Sequence, residues 1–401
     1  MRTVDIAVAG GGLGGSIAAA MLGKAGYQVA LIDPHTVYPP DLRCEKLDGA
    51  QVSVLEKTGL APAVLRAATH DKRVWVARFG RLVEKRESDQ HGILYDTLVN
   101  TVRGEIPKSV EFHCAKVNTA STSADRQLLK LSDGEEISAR LLVMANGLNI
   151  GFGHSLGLVR EEVSPCHSIT IAFDVAPVGR PEFDFPALTY YPERASDRMA
   201  YVTLFPIGSV MRANFMVYRD MRDPWLREMR NAPHETLLKL MPGLGRLLGE
   251  FEVRGLVKIR PADLYVTRGV RQAGVVLVGD AYSTSCPAAG TGTNKVFTDV
   301  ERLCNVHIPN WFASDGMGAD KIAAFYDDPV KIACDRASTA KAYSLRSLSI
   351  DESLPWRARR WARFIGRSGV GMVRQTRERL ISRPPHAPEG EGIHSPRSLH
   401  G

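Results

Sequence analysis

Apolar and polar positions alternate in two styles along this chain of 401 residues. Residues 4–9 (Val-Asp-Ile-Ala-Val-Ala) form a nearly continuous apolar run, the pattern of a strand buried on both faces of a parallel sheet. A glycine cluster follows. The alanine-rich stretch from Leu13 to Lys24 then predicts a helix, stopped at Gly26. Tyr27–Ile32 reads as a second buried strand ending at Asp33, which completes a βαβ unit. Further on, the pattern predicts helices over Ala50–Lys57 and Ile93–Val102, with a strand over Arg73–Phe79 between them. Strands are expected over Val110–Asn118, Leu128–Leu131 and Leu141–Ala145, with Asp133-Gly134 as a turn.

The style then changes. Ser168–Val175, Ala187–Tyr191, Met199–Phe205 and Met211–Tyr218 read as strands of an antiparallel sheet, with a Pro-Ile-Gly turn at 206–208. Pro224–Met241 predicts one helix, stopped by Pro242-Gly243. Gly274–Gly279 returns to the first style. A helix is expected from Gly292 to Cys304, and helical pattern again from Ala319 to Leu348. The expected fold class is α/β. A Rossmann-type dinucleotide domain would take residues 1–160 and 265–345, and an antiparallel-sheet substrate domain 161–264. A basic helical segment over 346–383 and a disordered Pro/Gly/Ser/His-rich tail over 384–401 would follow.

Composition narrows the classes. At 44% hydrophobic and 24% charged, the chain is an ordinary globular one. No apolar stretch reaches the roughly 20 residues that cross a bilayer. The first residues run straight into a strand, which argues against a signal peptide. Six scattered cysteines without a CxxC pair argue for reduced thiols, so the expected location is cytoplasmic and no metal site is expected. The net charge of +7 is local: residues 356–383 hold nine arginines against Glu378 alone, and the rest of the chain is close to neutral. No nucleic-acid partner is therefore expected. The basic segment also contains Trp361, Phe364, Ile365 and Met372. It reads either as a peripheral contact with anionic lipid or, the preferred reading, as a helix packed on the body with a solvated outer face.

Two motifs carry chemistry. Gly10-Gly11-Gly12-Leu13-Gly14-Gly15 is a GxGxxG between a strand and a helix, and Asp33 ends the following strand. Gly10 permits the turn, Gly12 lets the backbone approach a pyrophosphate, and Gly15 allows helix and strand to pack. The helix start offers free N–H groups to phosphate, and Asp33 can accept ribose hydroxyls. Gly279-Asp280-Ala281 with Pro287-Ala288-Ala289-Gly290-Thr291-Gly292-Thr293-Asn294 is the second motif.

That second motif resembles the second FAD fingerprint of class A flavoprotein monooxygenases, the p-hydroxybenzoate-hydroxylase-like aromatic-ring hydroxylases. The resemblance implies a GR2-like FAD-binding domain. It places Asp280 on the ribityl chain, Pro287 beside the reactive flavin edge, and the helix start at Gly290–Asn294 against the isoalloxazine ring. Gly10, Gly12, Leu13, Gly14, Gly15, Asp33 and Arg43 would complete the cofactor site. Tyr282-Ser283 stands where the family usually has Ala-His, and Asn146-Gly147 where it has Asp-Gly; the latter puts direct use of NAD(P)H in question. The family's chemistry is hydroxylation or epoxidation of an aromatic or apolar small molecule through a flavin C4a-hydroperoxide. Electrons would come from NAD(P)H, directly or through a separate flavin reductase. The rival activities are a halogenase of the same fold, a reductase, and a flavoprotein acting on a partner polypeptide. The halogenase WxWxIP segment is missing among the five tryptophans. Cys286 and Pro287 are the flavin-proximal candidates, Cys286 more simply read as a small buried side chain. His167, Tyr190 and Tyr191 are read first as structural, and Lys46 as solvated.

Overall fold

The computed structural model describes residues 1–366. Two sheets organise them. The first has seven strands, with Arg2–Ala9 between Val29–Ile32 and Glu136–Met144, all parallel. Glu111–His113 extends it in parallel beyond Val29–Ile32, and Val275–Leu277 pairs in parallel with Glu136–Met144. An antiparallel hairpin, Val117–Ser121 with Gln127–Leu131, finishes the other side. Strands 4–9, 29–32 and 141–144 are buried, as their apolar runs require. The helix Leu13–Lys24 packs its alanines here at almost no exposure.

The second sheet has eight strands and is not confined to residues 161–264. Its middle is Val159–Pro177, Val210–Val217, Met199–Ile207 and Leu188–Tyr190. Phe251–Arg268 forms one edge. Thr69–Arg78, Arg81–Gly92 and Lys46–Asp48 complete the other side. The strand expected over Arg73–Phe79 thus leaves the first layer. Its Trp75 and Val76 pair in parallel with Leu188 and Thr189, burying Val74 and Val76.

Two further expectations are corrected, and one strand was not expected. The single helix over Pro224–Met241 is three short ones, Pro224–Asn231, Pro233–Leu240 and Pro242–Leu248. Proline lacks an N–H and is tolerated only in a first turn, so Pro233 and Pro242 each restart a helix. The strand Phe251–Arg268 escaped notice because it is largely polar and its pairing is bulged near Ser164 and Ala172. The helix after Gly292 ends at Arg302, continues as a π-turn over Leu303–His307, and resumes over Ile308–Phe312.

At the C-terminal side the helix Pro329–Ile350 packs along Gly292–Arg302. Residues 354–366 are helical again, and Trp361 and Phe364 pack on Phe79 with ring centroids 6.5 and 5.7 Å away. The remainder of the basic segment, with Met372, and the tail over 384–401 lie outside the described residues. Among the described residues no helix is long and apolar enough to cross a membrane.

Candidate active site

The first motif turns where the strand Arg2–Ala9 meets the helix Leu13–Lys24. Gly10 has φ +102°, and a Cβ there would lie 2.6 Å from Cα of Asn146, so both backbone conformation and space demand glycine. A Cβ on Gly15 would lie 1.8 Å from the Gly10 carbonyl oxygen. Gly12 differs. Its Cβ would meet only the Tyr38 ring, at 3.9 Å, so packing does not require glycine there, while an approaching ligand would. Gly14 faces Val296 and Val278, which brings the two motifs together.

Asp33 sits at the end of its strand, as its spacing implies. The Gly11 N–H donates to its Oδ2 (2.7 Å) and the His35 N–H to its Oδ1 (2.9 Å). Arg103, 92 residues beyond Gly11, pairs with Asp33 at 3.1 Å and donates to the Gly11 and His35 carbonyls. Both charged side chains are nearly buried, at 8% and 9% exposure, so this is a desolvated, fully hydrogen-bonded pair. Nothing in the local pattern announced Arg103.

At the other end, the Arg43 guanidinium donates to Asp280 Oδ2 (2.7 Å) and to Asp41 Oδ2 (2.7 Å). Arg260 also donates to Asp41. Burial opposes ionisation of Asp41, but Arg43 and Arg260 together hold its carboxyl below the usual range. The structure thus brings together Arg43 and Asp280, 237 residues apart.

Behind Asp280 a buried ionic lattice fixes the loop. Asp299 accepts from the Gly279 N–H through Oδ2 (2.9 Å) and from Lys331 Nζ through Oδ1 (2.7 Å). Burial alone would lower the Lys331 amine, yet Asp299 and Asp335 outweigh it and keep it protonated. Lys295 donates to Ser283, which gives the unusual Tyr282-Ser283 pair a packing role, with Lys331 Nζ 4.3 Å from the Tyr282 ring centroid.

The residues present fit a bound dinucleotide on two observations. The motif helices Leu13–Lys24 and Gly292–Arg302 start without a side-chain cap, as do others such as Ala61–Ala67 and Tyr95–Gly104, so their first N–H groups are free for a ligand without marking one. Gly290 has φ +64° and a Cβ there would meet nothing, so its outer side is open. Asn294 Oδ1 is buried with no partner among the described residues. Thr291 instead turns its hydroxyl to Ser338 (2.6 Å).

A cavity of about 300 Å³ lies beside this loop. Leu13, Arg43, Asp280, Pro287, Gly290, Gly292 and Thr293 line it on one side, and Thr170, Tyr201, Thr203, Phe205, Asn214 and Met216 of the second sheet on the other. Lys46 also lines it, contrary to the solvated reading. Burial pushes its amine down to about 8, and its Nζ sits 5.1 Å from the Phe205 ring centroid. Gln51, likewise unmarked in the sequence, reaches the Gly290 carbonyl (3.1 Å) and ties its helix to the loop.

Other candidates fall outside this cavity. Cys286 is fully buried, its Sγ 3.5 Å from Ser168 Oγ, and burial pushes its thiol up. His167 is buried against Ser164 and Tyr343. Tyr190 donates to Glu193 (2.6 Å). Tyr191 lines a second cavity of about 120 Å³ with Tyr201 and Phe364.

A family described as "FAD binding domain" matches residues 3–306. The chain belongs to this FAD-binding family. The chain is 26% identical to 3-demethoxyubiquinol 3-hydroxylase of Escherichia coli, over 76% of this chain and 80% of that protein. It is 23% identical to squalene monooxygenase of Mus musculus, over 74% of this chain, and spans only 53% of that protein's length. In fold it matches p-nitrophenol 4-monooxygenase of Pseudomonas putida with a TM-score of 0.70 at 18% identity, covering 95% of this chain and 98% of that one.

Proposed function

We propose that the protein is an FAD-dependent monooxygenase acting on an aromatic or otherwise electron-rich apolar small molecule. The observation that carries this reading is the cavity itself. One wall is the Asp280–Thr293 loop and the other is a sheet face of mixed apolar and hydroxyl side chains, the composition of a small-molecule site. Bound there, FAD supplies the electron transfer and oxygen activation. The chain's residues do the rest. The uncapped start of the helix Leu13–Lys24 and Gly12 would take the pyrophosphate, and Asp33 the ribose. Asp280 and Arg43 would meet the chain leading to the ring, with Pro287, Gly290, Thr291, Gly292, Thr293 and Asn294 beneath it. Phe205, Met216 and Tyr201 keep the far wall dry, and Lys46 places a cation within reach of an acidic or phenolic substrate.

NAD(P)H is the proposed electron source, directly or through a separate reductase. The basic segment 356–383 is the proposed point of a peripheral membrane contact: of its described residues, Trp361 and Ile365 are 53% and 65% exposed beside exposed Arg357, Arg359 and Arg363. Sedimentation with anionic, but not neutral, vesicles is the expected result for that contact.

The test is stopped-flow reduction of the FAD-loaded protein by NADH and NADPH, followed by oxygen uptake with phenols, aminobenzoates and long-chain alkenes. Substrate-dependent oxygen uptake with an oxygenated product is expected. No uptake with NAD(P)H or with supplied reduced flavin would sink the reading. Halide-dependent products would assign the halogenase activity, and anaerobic turnover a reductase.

A further inference from the structure

We propose that His70, His91 and Asp89 form a binding site for one divalent transition-metal ion of the zinc class, on the second sheet and apart from the FAD site. The strands Thr69–Arg78 and Arg81–Gly92 pair with His70 directly opposite His91. Their imidazole rings lie parallel, 8° apart in plane and 4.4 Å between centroids. Both Nε2 atoms face the same oxygen, Oδ1 of Asp89, each at 3.0 Å. One donor atom from each of the three residues lies within 4.8 Å of the others.

Sheet register, not chance side-chain reach, sets this arrangement. Opposite residues of an antiparallel pair project to the same face with their Cβ atoms about 5 Å apart. Zinc takes imidazole nitrogen and carboxylate oxygen at roughly 2.0–2.2 Å, so neighbouring ligand atoms of a tetrahedron stand roughly 3.3–3.6 Å apart. Each nitrogen–oxygen edge, at 3.0 Å, needs only a few tenths of an ångström of opening, and the two rings must tilt out of their parallel stack to aim both nitrogens at the ion. Two nitrogens and one carboxylate leave a fourth position for water, and this donor set suits zinc and its neighbours over magnesium or calcium. His70 and Asp89 are exposed and give an entry path, while His91 is nearly buried and supplies a fixed anchor.

The site stands one strand from the cavity. Leu47 and Asp48 pair with His91 and Gln90, and a Cβ on Gly49 would lie 3.0 Å from the other Asp89 oxygen. Lys46 lines the cavity and Gln51 holds Gly290, so an ion on Asp89 would brace the segment 46–51 that carries both.

Isothermal titration of the FAD-loaded full chain with zinc chloride, and separately magnesium chloride, tests this. One equivalent of zinc with a rise in melting temperature, and no magnesium binding, is expected. His70→Ala and Asp89→Asn change exposed residues, and their unliganded melting temperatures report whether they fold. Each should weaken zinc binding roughly tenfold or more and abolish the thermal shift while leaving the FAD content unchanged. Zinc bound as tightly by both variants as by the parent, or less than half an equivalent bound by the parent, overturns the proposal.

Discussion

Two arginine–carboxylate pairs stand at the two glycine motifs, and they differ in kind. Asp33 and Arg103 are both nearly buried, and their contacts close onto the glycine turn and the loop at His35–Thr36. Asp280 and Arg43 are 27% and 22% exposed and line the cavity. The first pair is part of how the turn is built. The second stands at a surface where a ligand can compete for it. A carboxylate that looks like a cofactor contact in both motifs therefore has a structural duty in one and a more open one in the other.

The largest test of that contrast lies among the glycines. Gly15→Ala forces a Cβ to within 1.8 Å of the Gly10 oxygen and should cost several kcal/mol, leaving little folded, yellow protein by melting temperature and FAD-to-protein ratio. Gly12→Ala should melt within a few degrees of the parent but bind FAD at least about tenfold more weakly, because only a ligand occupies its open side. Equal loss of stability in both variants would erase the distinction between packing and cradling.

Next comes Asp33→Ala against Asp280→Ala, compared by denaturant unfolding without FAD. Removing Asp33 strands a buried guanidinium and the Gly11 N–H, at a cost of about 3 kcal/mol. Removing Asp280 leaves Arg43 its bond to Asp41 and should cost about 1 kcal/mol or less, while FAD affinity falls roughly tenfold. The reverse order of stabilities would mean that the exposed pair, not the buried one, holds the fold.

The smallest expected effect is at Lys46. Its amine is held at about 8 in the folded chain against 10.5 when unperturbed, so between those values the unfolded chain binds more protons. The parent's stability should then rise as pH increases from about 8 toward 10.5. Lys46→Met should flatten that rise and stabilise the protein at neutral pH, by about 1 kcal/mol since the side chain is only half-buried. Melting curves at several pH values decide it; an unchanged slope would remove Lys46 from the dry wall of the cavity.

What could be read from the sequence was local. The GxGxxG turn, Asp33 and the Asp280–Asn294 loop each lie within one supersecondary unit, so spacing alone located them. Arg103 and Gln51 could not be found this way. Their partners Gly11 and Gly290 are 92 and 239 residues distant, and neither side chain breaks the pattern of its own helix. Lys46 looks like any surface lysine until its strand joins the edge of the second sheet. The second sheet was half legible for a similar reason: hairpins such as Met199–Ile207 with Val210–Val217 announce themselves, whereas Thr69–Arg78 finds Leu188–Tyr190 only through the tertiary fold.

That last pairing has a consequence for how the protein is made. At roughly 5–20 residues per second, a strand pair separated by about 110 residues waits on the order of ten seconds during synthesis before its neighbour exists. Meanwhile the hairpin of Thr69–Arg78 and Arg81–Gly92 shows the nascent chain an open, hydrogen-bonding edge. The glycine motif at 10–15 emerges early, but the loop ending at Asn294 emerges much later, so a site built from both motifs is complete only then. Yield in a heterologous host should thus respond to slower, cooler translation and chaperone supply more than to flavin supply.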